Sequence, residues 1–586
     1  MKVTVLSALV IFIAGFCGAA HGNDSAAQRL ERLTSEIWQF ELRSFPGLAS
    51  RQGIRDYEDR ITDVSQTALQ TRAQQFQAYL DQLALIDESE LSQEERITLL
   101  MQRYRIKNYV DEYRFNEHYV PITSEYGFHS SLAQLPNQIR IIDAASVNNY
   151  LAQLKQVDAV IDTHIEWMKK GLAVGKTQPK AVLAGYEDTI SSLMVESQDS
   201  VFYQPLANLD ESKFSAEQIA TWQATGQGII AAQIMPALQR FYDFFTQVYK
   251  PNARDEIAAK LLPDGAAYYQ NRIEYYTTTT MTAEEIHKIG LAEVDRIRAE
   301  MQAIVDKLEF AGDINEFIQF LRTDPQFYAK SAEELLIYAS YIAKQMDAKL
   351  PQLFKKLPRT PYGVAPVPDA IAPKYTTGRY VSPARDDQPG YYWVNTYALD
   401  KRPLYAIPAL TLHEAVPGHH LQISLANEMS GLPPVRRQTY ISAFGEGWGL
   451  YSEYLGKEVG IYSDPYDDFG RLSYEMWRAC RLVVDTGMHM MGWSREQSLA
   501  YMLENTALSE HNVKTEIDRY ISWPAQALSY KIGEIKIKQL RATAEDALGD
   551  KFDLRAFHDA VLAQGSVPLF VLEQSINAFI EQQKAL

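Results

Sequence analysis

HEAVPGHH, residues 413–420, begins like the helix of a zinc protease and then breaks that helix's spacing. The pattern His-Glu-x-x-His places two histidines one helical turn apart, whereas His413 and Glu414 are followed by histidines at 419 and 420. In an unbroken helix, position i+6 points about 120° away from position i, and position i+7 returns to the same face about 10.5 Å further along the axis. Neither histidine could then share an ion with His413. Pro417 has no N–H for the carbonyl four residues back and its ring clashes there, while Gly418 accepts almost any backbone angle. The stretch therefore predicts a helix over 406–425 that bulges at Pro417 and Gly418. With two residues looped out, His419 becomes the second histidine, which is the preferred assignment. With three looped out, His420 takes its place.

A catalytic tetrahedral zinc takes about three protein ligands and keeps one position open. Glu446, in the otherwise apolar run Phe444-Gly-Glu-Gly-Trp-Gly-Leu-Tyr-Ser-Glu453, is the candidate third ligand, because an unpaired carboxylate there would be costly unless it met a cation or a metal. A salt bridge to Arg436 or Arg437 is the alternative, and Glu453, two turns along the same face, is the fallback ligand. Glu414 is then the general base. Two histidines and one carboxylate also suit a non-haem iron enzyme, but Glu414 would then have no function. A non-catalytic peptide-binding protein is the third reading.

Elsewhere the legible signal is helical. Thr282–Glu285, Ser331–Glu334 and Ser494–Gln497 read as capping boxes. Apolar periodicity predicts helices near 24–48, 65–86, 145–172, 226–249, 437–457, 466–491 and 526–547. Prolines are frequent from 358 to 389, and Tyr391–Tyr397 is rich in strand formers, which predicts a hairpin or small sheet just before the histidine motif. The expectation is a mostly α protein with a small β element beside the site. It comprises a signal peptide over 1–22 and a single large helical domain over 23–586, with the metal-site core at about 358–547. A peptide substrate is expected to add a strand along Tyr391–Tyr397.

The formal charge of −17 disfavours nucleic acid and anionic lipid surfaces as partners, since both are bound by neutralising phosphates with cations. An apolar run, Val3–Phe16, followed by small residues has the layout of a secretory signal with cleavage near Ala20 or Gly22. No later segment reaches the ~20 apolar residues of a membrane span. The protein is expected to be exported, periplasmic or secreted. A lipid anchor at Cys17 is the alternative processing, and the bulky Phe16 before it counts against that. The other cysteine is Cys480, so no intramolecular disulfide is expected once the signal is removed.

Three stretches, Thr411–Gln422, Gly445–Tyr451 and Pro524–Gly533, together resemble the bacterial family called domain of unknown function 885 over nearly the whole mature chain. The order of parts is also similar to angiotensin-converting enzyme and the thimet oligopeptidases, and dipeptidyl peptidase III gives a precedent for a lengthened histidine motif. The resemblance implies a large helical fold with a deep cleft, zinc held by two histidines and a glutamate, and hydrolysis of peptides by zinc-activated water. It also implies a late tyrosine that donates to the oxyanion, carried here by Tyr530 in Gln526–Lys531. Arg481, Asp485 and His489 share one helix face. They read either as an internal salt-bridge stripe or as a cleft wall on which His489 assists the oxyanion and Arg481 binds substrate or holds a carboxylate.

Overall fold

The computed structural model describes residues 24–369, 371–372, 375–383 and 388–585. The signal-peptide reading and Cys17 lie outside the described residues. The chain is 69% helical with one small three-stranded sheet, so the mostly α expectation holds. Among the described residues no helix is long and apolar enough to cross a membrane.

Capping chemistry sets several boundaries. Thr282 and Glu285 close a reciprocal box at the start of Ala283–Lys307. Ser331 and Ser494 each cap with a single side-chain bond, to the N–H of Glu334 and of Gln497. The expected 145–172 helix is two helices, Ala144–Leu154 and Val157–Val174. A 22-residue helix, α1 (Gln93–Arg114), lies outside every predicted tract. It buries Gln102, Asn108 and Asp111 beside Ile97, Leu99, Met101 and Ile106, so its inward face is not marked by apolar residues alone.

The sheet consists of β1 (Tyr362–Pro366), β2 (Gly378–Val381) and β3 (Gly390–Val394) in the order β1-β3-β2. β3 pairs parallel with β1 and antiparallel with β2. This corrects the expected peptide track along Tyr391–Tyr397: β3 is the central strand and both its edges are already paired. The strand ends at Val394, and Asn395 turns away to donate to the carbonyls of Ala372, Tyr375 and Thr376. Among the described residues the free edges belong to β1 and β2.

Six further helices carry the chemistry: α2 (Ile407–Glu414), α3 (His419–Asn427), α4 (Ser442–Glu458), α5 (Pro465–Thr486), α6 (Glu510–Ser522) and α7 (Ser529–Leu548). Every residue of α2 is buried, which explains why its sequence shows no polar face. Ala409 and Leu410 join one hydrophobic core and Leu412 another, so α2 runs between them. α4 packs along α7, and the two backbones touch where a Cβ on Gly447 would come within 2.5 Å of Gly533 and a Cβ on Gly533 within 1.9 Å of the Ala443 carbonyl oxygen. Only glycine fits at that crossing.

Candidate metal centre

The histidine motif is a break between two helices, not a two-residue bulge in one. α2 stops at Glu414, Ala415 leaves the helical region at φ −95°, ψ −111°, and α3 resumes at His419. Four residues, 415–418, leave the helix, because the proline cannot donate and the chain must double back around it. The Gly418 N–H donates to the Leu412 carbonyl at 3.0 Å. A Cβ on Gly418 would lie 1.9 Å from the His413 carbonyl oxygen, so the return path requires glycine there. The Trp448 indole N–H on α4 donates to the Pro417 carbonyl at 2.8 Å and pins the turn.

This path brings His413 and His419 together with Glu446. One ligand atom from each lies within 4.8 Å of the other two. His413 Nε2 and His419 Nε2 are each 3.5 Å from Glu446 Oε2. Tetrahedral ligation at about 2.0–2.1 Å puts neighbouring ligand atoms about 3.3–3.4 Å apart, so the three residues fit such an ion. His420 is not in the cluster: its Nδ1 meets the Tyr380 hydroxyl at 3.0 Å and its ring packs on Tyr362. Burial pushes its pKa down to about 4. Arg436 and Arg437 do not pair with Glu446. Arg436 binds Glu94, Thr98 and Gln564, and Arg437 donates to the Leu432 carbonyl.

The surroundings hold these groups in place. His413 Nδ1 donates to Glu453 Oε1 at 2.8 Å, which fixes the tautomer and turns Nε2 toward Glu446. Arg478 steadies the same Glu453 oxygen at 3.2 Å. The fallback ligand therefore serves as a support for the histidine. Gly449, one turn beyond Glu446, leaves room for the His413 ring, since a Cβ there would lie 2.7 Å from Cε1. Burial lowers the affinity of His413 for protons, but its hydrogen bonds to Glu446 and Glu453 outweigh that and raise the pKa to about 9. Burial opposes ionisation of Glu446, yet the two histidines hold it well below the usual carboxylate range. The Tyr440 hydroxyl donates to Glu446 Oε1 at 2.8 Å.

Glu414 is nearly buried, and its Oε2 accepts the Tyr380 backbone N–H of β2 at 2.7 Å. Tyr530 stands on α7 one turn before Gly533, with its ring 4.1 Å from the Arg481 guanidinium carbon. His489 is placed elsewhere. Its Nδ1 accepts from the Ala259 N–H and its Nε2 donates to the Tyr520 carbonyl, and burial pushes its pKa down to about 4. With both ring nitrogens committed to backbone, it has no donor left for an oxyanion. Tyr440, Tyr380, Arg478 and Gly449 were not singled out in the sequence. Only Gly449 carried a signal, as the small residue three positions after Glu446 on the same face.

The family described as bacterial protein of unknown function (DUF885) matches residues 46–576. Two solved structures share the fold. One, described as "the putative lipoprotein from Colwellia psychrerythraea", is 30% identical with a TM-score of 0.87, and the match covers 95% of this chain and all of that one. The other, "a putative lipoprotein of unknown function from Shewanella oneidensis", is 18% identical with a TM-score of 0.75, covering 94% of this chain and 99% of that one. No curated protein matches.

Proposed function

The chain belongs to the DUF885 family of bacterial proteins, and from that premise we propose that it is an exported zinc metallopeptidase acting on peptides. The observation that carries the reading is the convergence of His413 Nε2, His419 Nε2 and Glu446 Oε2 beside the carboxylate of Glu414. Zinc held by those three atoms would supply a Lewis acid and a water that ionises near neutral pH. Glu414, with Oε2 occupied by the Tyr380 N–H, takes the proton of the attacking water on Oε1 and passes it to the leaving amine. Tyr440 is committed to Glu446. Tyr530 makes no hydrogen bond among the described residues and is the phenol available to the oxyanion.

The substrate backbone runs along the outer edge of β2. In the antiparallel ladder, Tyr380 turns its N–H away from β3 to reach Glu414, so its carbonyl also faces outward, where a peptide N–H can meet it. Access from solvent is supported by Tyr440, which is 46% exposed while its hydroxyl holds Glu446 Oε1. Export is supported by the apolar run Val3–Phe16 and by the lipoprotein description of both solved relatives.

The test is elemental analysis of protein purified without added metal, followed by incubation with a mixed peptide library with and without chelator, read by mass spectrometry. About one zinc per chain and cleavage that chelator stops and zinc restores are expected. Iron as the tightly bound metal, or no cleavage of any peptide by the zinc-loaded protein, would overturn the reading.

A further inference from the structure

Beyond the metal ligands, one buried group of charges keeps an unused donor. Arg481 on α5 and Arg519 on α6 both donate to a single oxygen, Oε2 of Glu516, at 3.0 and 3.1 Å. Arg481 is 2% exposed and Glu516 7%, while the Arg519 side chain retains 13%. Two guanidinium charges therefore share one carboxylate in a region largely shut off from water. Arg481 spends Nε on the Tyr520 hydroxyl at 2.7 Å and Nη2 on Glu516, and its Nη1 is buried with no hydrogen-bond partner. A buried guanidinium N–H with no partner is costly unless an acceptor joins it. Glu125, in the loop before Tyr126, acts on the Arg519 charge from nearby but makes no hydrogen bond to either guanidinium among the described residues, so it leaves the Arg481 donor unused.

The group adjoins the metal centre. The Arg481 guanidinium lies on the Tyr530 ring at 4.1 Å. Arg519 donates to Gln526 Oε1, and Gln526 Nε2 reaches Ser442 Oγ at 3.5 Å. Ser442 is one turn before Glu446 on α4 and two residues after Tyr440. The path from Arg519 to the metal ligand Glu446 thus passes through two side chains and one helical turn. The Trp523 indole, 37% exposed, lies 5.9 Å from the Arg519 guanidinium carbon and gives the approach an apolar wall.

We infer that Arg519 and Arg481 form a subsite that takes a carboxylate of the bound peptide, either its C-terminal one or an acidic side chain. The inference rests on the peptide reading for its substrate class. With the C-terminal carboxylate held there, the bond placed at the metal centre is close to the C-terminal end of the peptide, and the enzyme trims peptides from that end. A planar guanidinium fork is suited to this, because it pairs two donors with two carboxylate oxygens.

Calorimetry on metal-free protein separates this subsite from catalysis. Three peptides are compared: Ala-Ala-Phe with a free C-terminus, its amide, and the amide of Ala-Ala-Glu. At least one carboxylate-bearing peptide should bind roughly 10-fold or more tightly than the neutral amide, as expected when a charge-assisted hydrogen bond is gained. The free acid identifies the C-terminal carboxylate as the ligand, and the glutamate amide an acidic side chain. Arg519→Gln should abolish the preference, while Arg519→Lys, which keeps the charge without the fork, should retain part of it. Equal affinities for the three peptides, binding of none, or a preference that survives in Arg519→Gln would each overturn the subsite. The wild-type comparison stands even if a variant misfolds. A carboxylate preference in the metal-free protein without any turnover by the zinc-loaded protein would overturn the peptidase reading and leave the subsite intact.

Discussion

Gly449→Ala adds one methyl group against the face of the His413 ring. The new Cβ would lie 2.7 Å from Cε1, 2.8 Å from Nε2 and 3.0 Å from Nδ1, where ordinary contact begins at 3.4 Å. Relief therefore requires the ring or the helix to move by about 0.7 Å, which is several times the roughly 0.2 Å tolerance of a metal–ligand distance. α4 has little freedom to yield, because two residues earlier Gly447 already touches the Gly533 backbone. The ring must move, and its bond to Glu453 must stretch or turn with it. Zinc affinity should fall by at least the ~10- to 100-fold typical of a lost supporting contact. The same substitution removes a glycine from a helix interior, which by itself favours folding by up to ~1 kcal/mol. The expected signature is weakened zinc binding without a matching loss of stability in the metal-free protein. Competition with a chromophoric chelator gives the affinity, and urea unfolding gives the stability. Gly228→Ala, in the helix Ala216–Ile229 with nothing within 4 Å of the added Cβ, is the control and should leave zinc untouched. Wild-type zinc affinity in Gly449→Ala would refute the idea that His413 is held as a ligand in this position.

Glu414→Gln should keep zinc and lose about 10²- to 10⁴-fold in peptide turnover, whereas Glu446→Gln should lose zinc itself; zinc content and turnover measured side by side would expose exchanged roles. His419→Ala should deplete zinc and His420→Ala should not, by elemental analysis; the reverse would contradict the placement of His420 against Tyr380. Asp485 is fully buried, and burial pushes its carboxyl up to about 7 against hydrogen bonds from Tyr269 and Ala525. Its folded pKa lies above the unfolded value, so stability is fully present below pH ~4 and falls as pH rises toward 7 and above. Asp485→Asn, neutral throughout, should gain on the wild type by roughly 2–4 kcal/mol between pH 4.5 and 8, at about 1.36 kcal/mol per unit. A difference in urea midpoints that does not change with pH would refute this.

The parts of the molecule that could be read in advance are those where one rule acts alone. Thr282 and Glu285 open a long amphipathic helix because the cap and the periodicity agree. α1 escaped because Gln102, Asn108 and Asp111 occupy inward positions, paired with groups far away in sequence, such as Asn271 with Asp111. At the site, the proline and glycine announced that the helix must yield, and the distance to Glu446 suggested a third ligand. Pro417 could not reveal that four residues leave the helix, since that depends on Trp448 holding the Pro417 carbonyl from another helix. Glu453 reads in sequence as a spare ligand for a similar reason: sharing a face with Glu446 puts it beside the histidine, but which ring nitrogen it meets is set by how α4 packs on α2. Tyr440 is one of 35 tyrosines, and nothing in its neighbours distinguishes it. The polar stripe of Arg481, Asp485 and His489 reads equally as a cleft wall or an internal network; it faces the inside of the protein, and both ring nitrogens of His489 are taken by backbone groups.

The turn at 415–418 also bears on how such centres are recognised from sequence. In an unbroken zinc-protease helix the count of residues between the two histidines is dictated by helical pitch, and the count has become the emblem of the chemistry. Here the first histidine ends one helix and the second begins another, so pitch no longer dictates anything and the count is free to drift with the length of the turn. What the chemistry constrains is a triangle of two nitrogens and one oxygen. A motif written as a fixed interval describes one road to that triangle, and chains that arrive by another road are passed over by any search that measures the road instead of the destination.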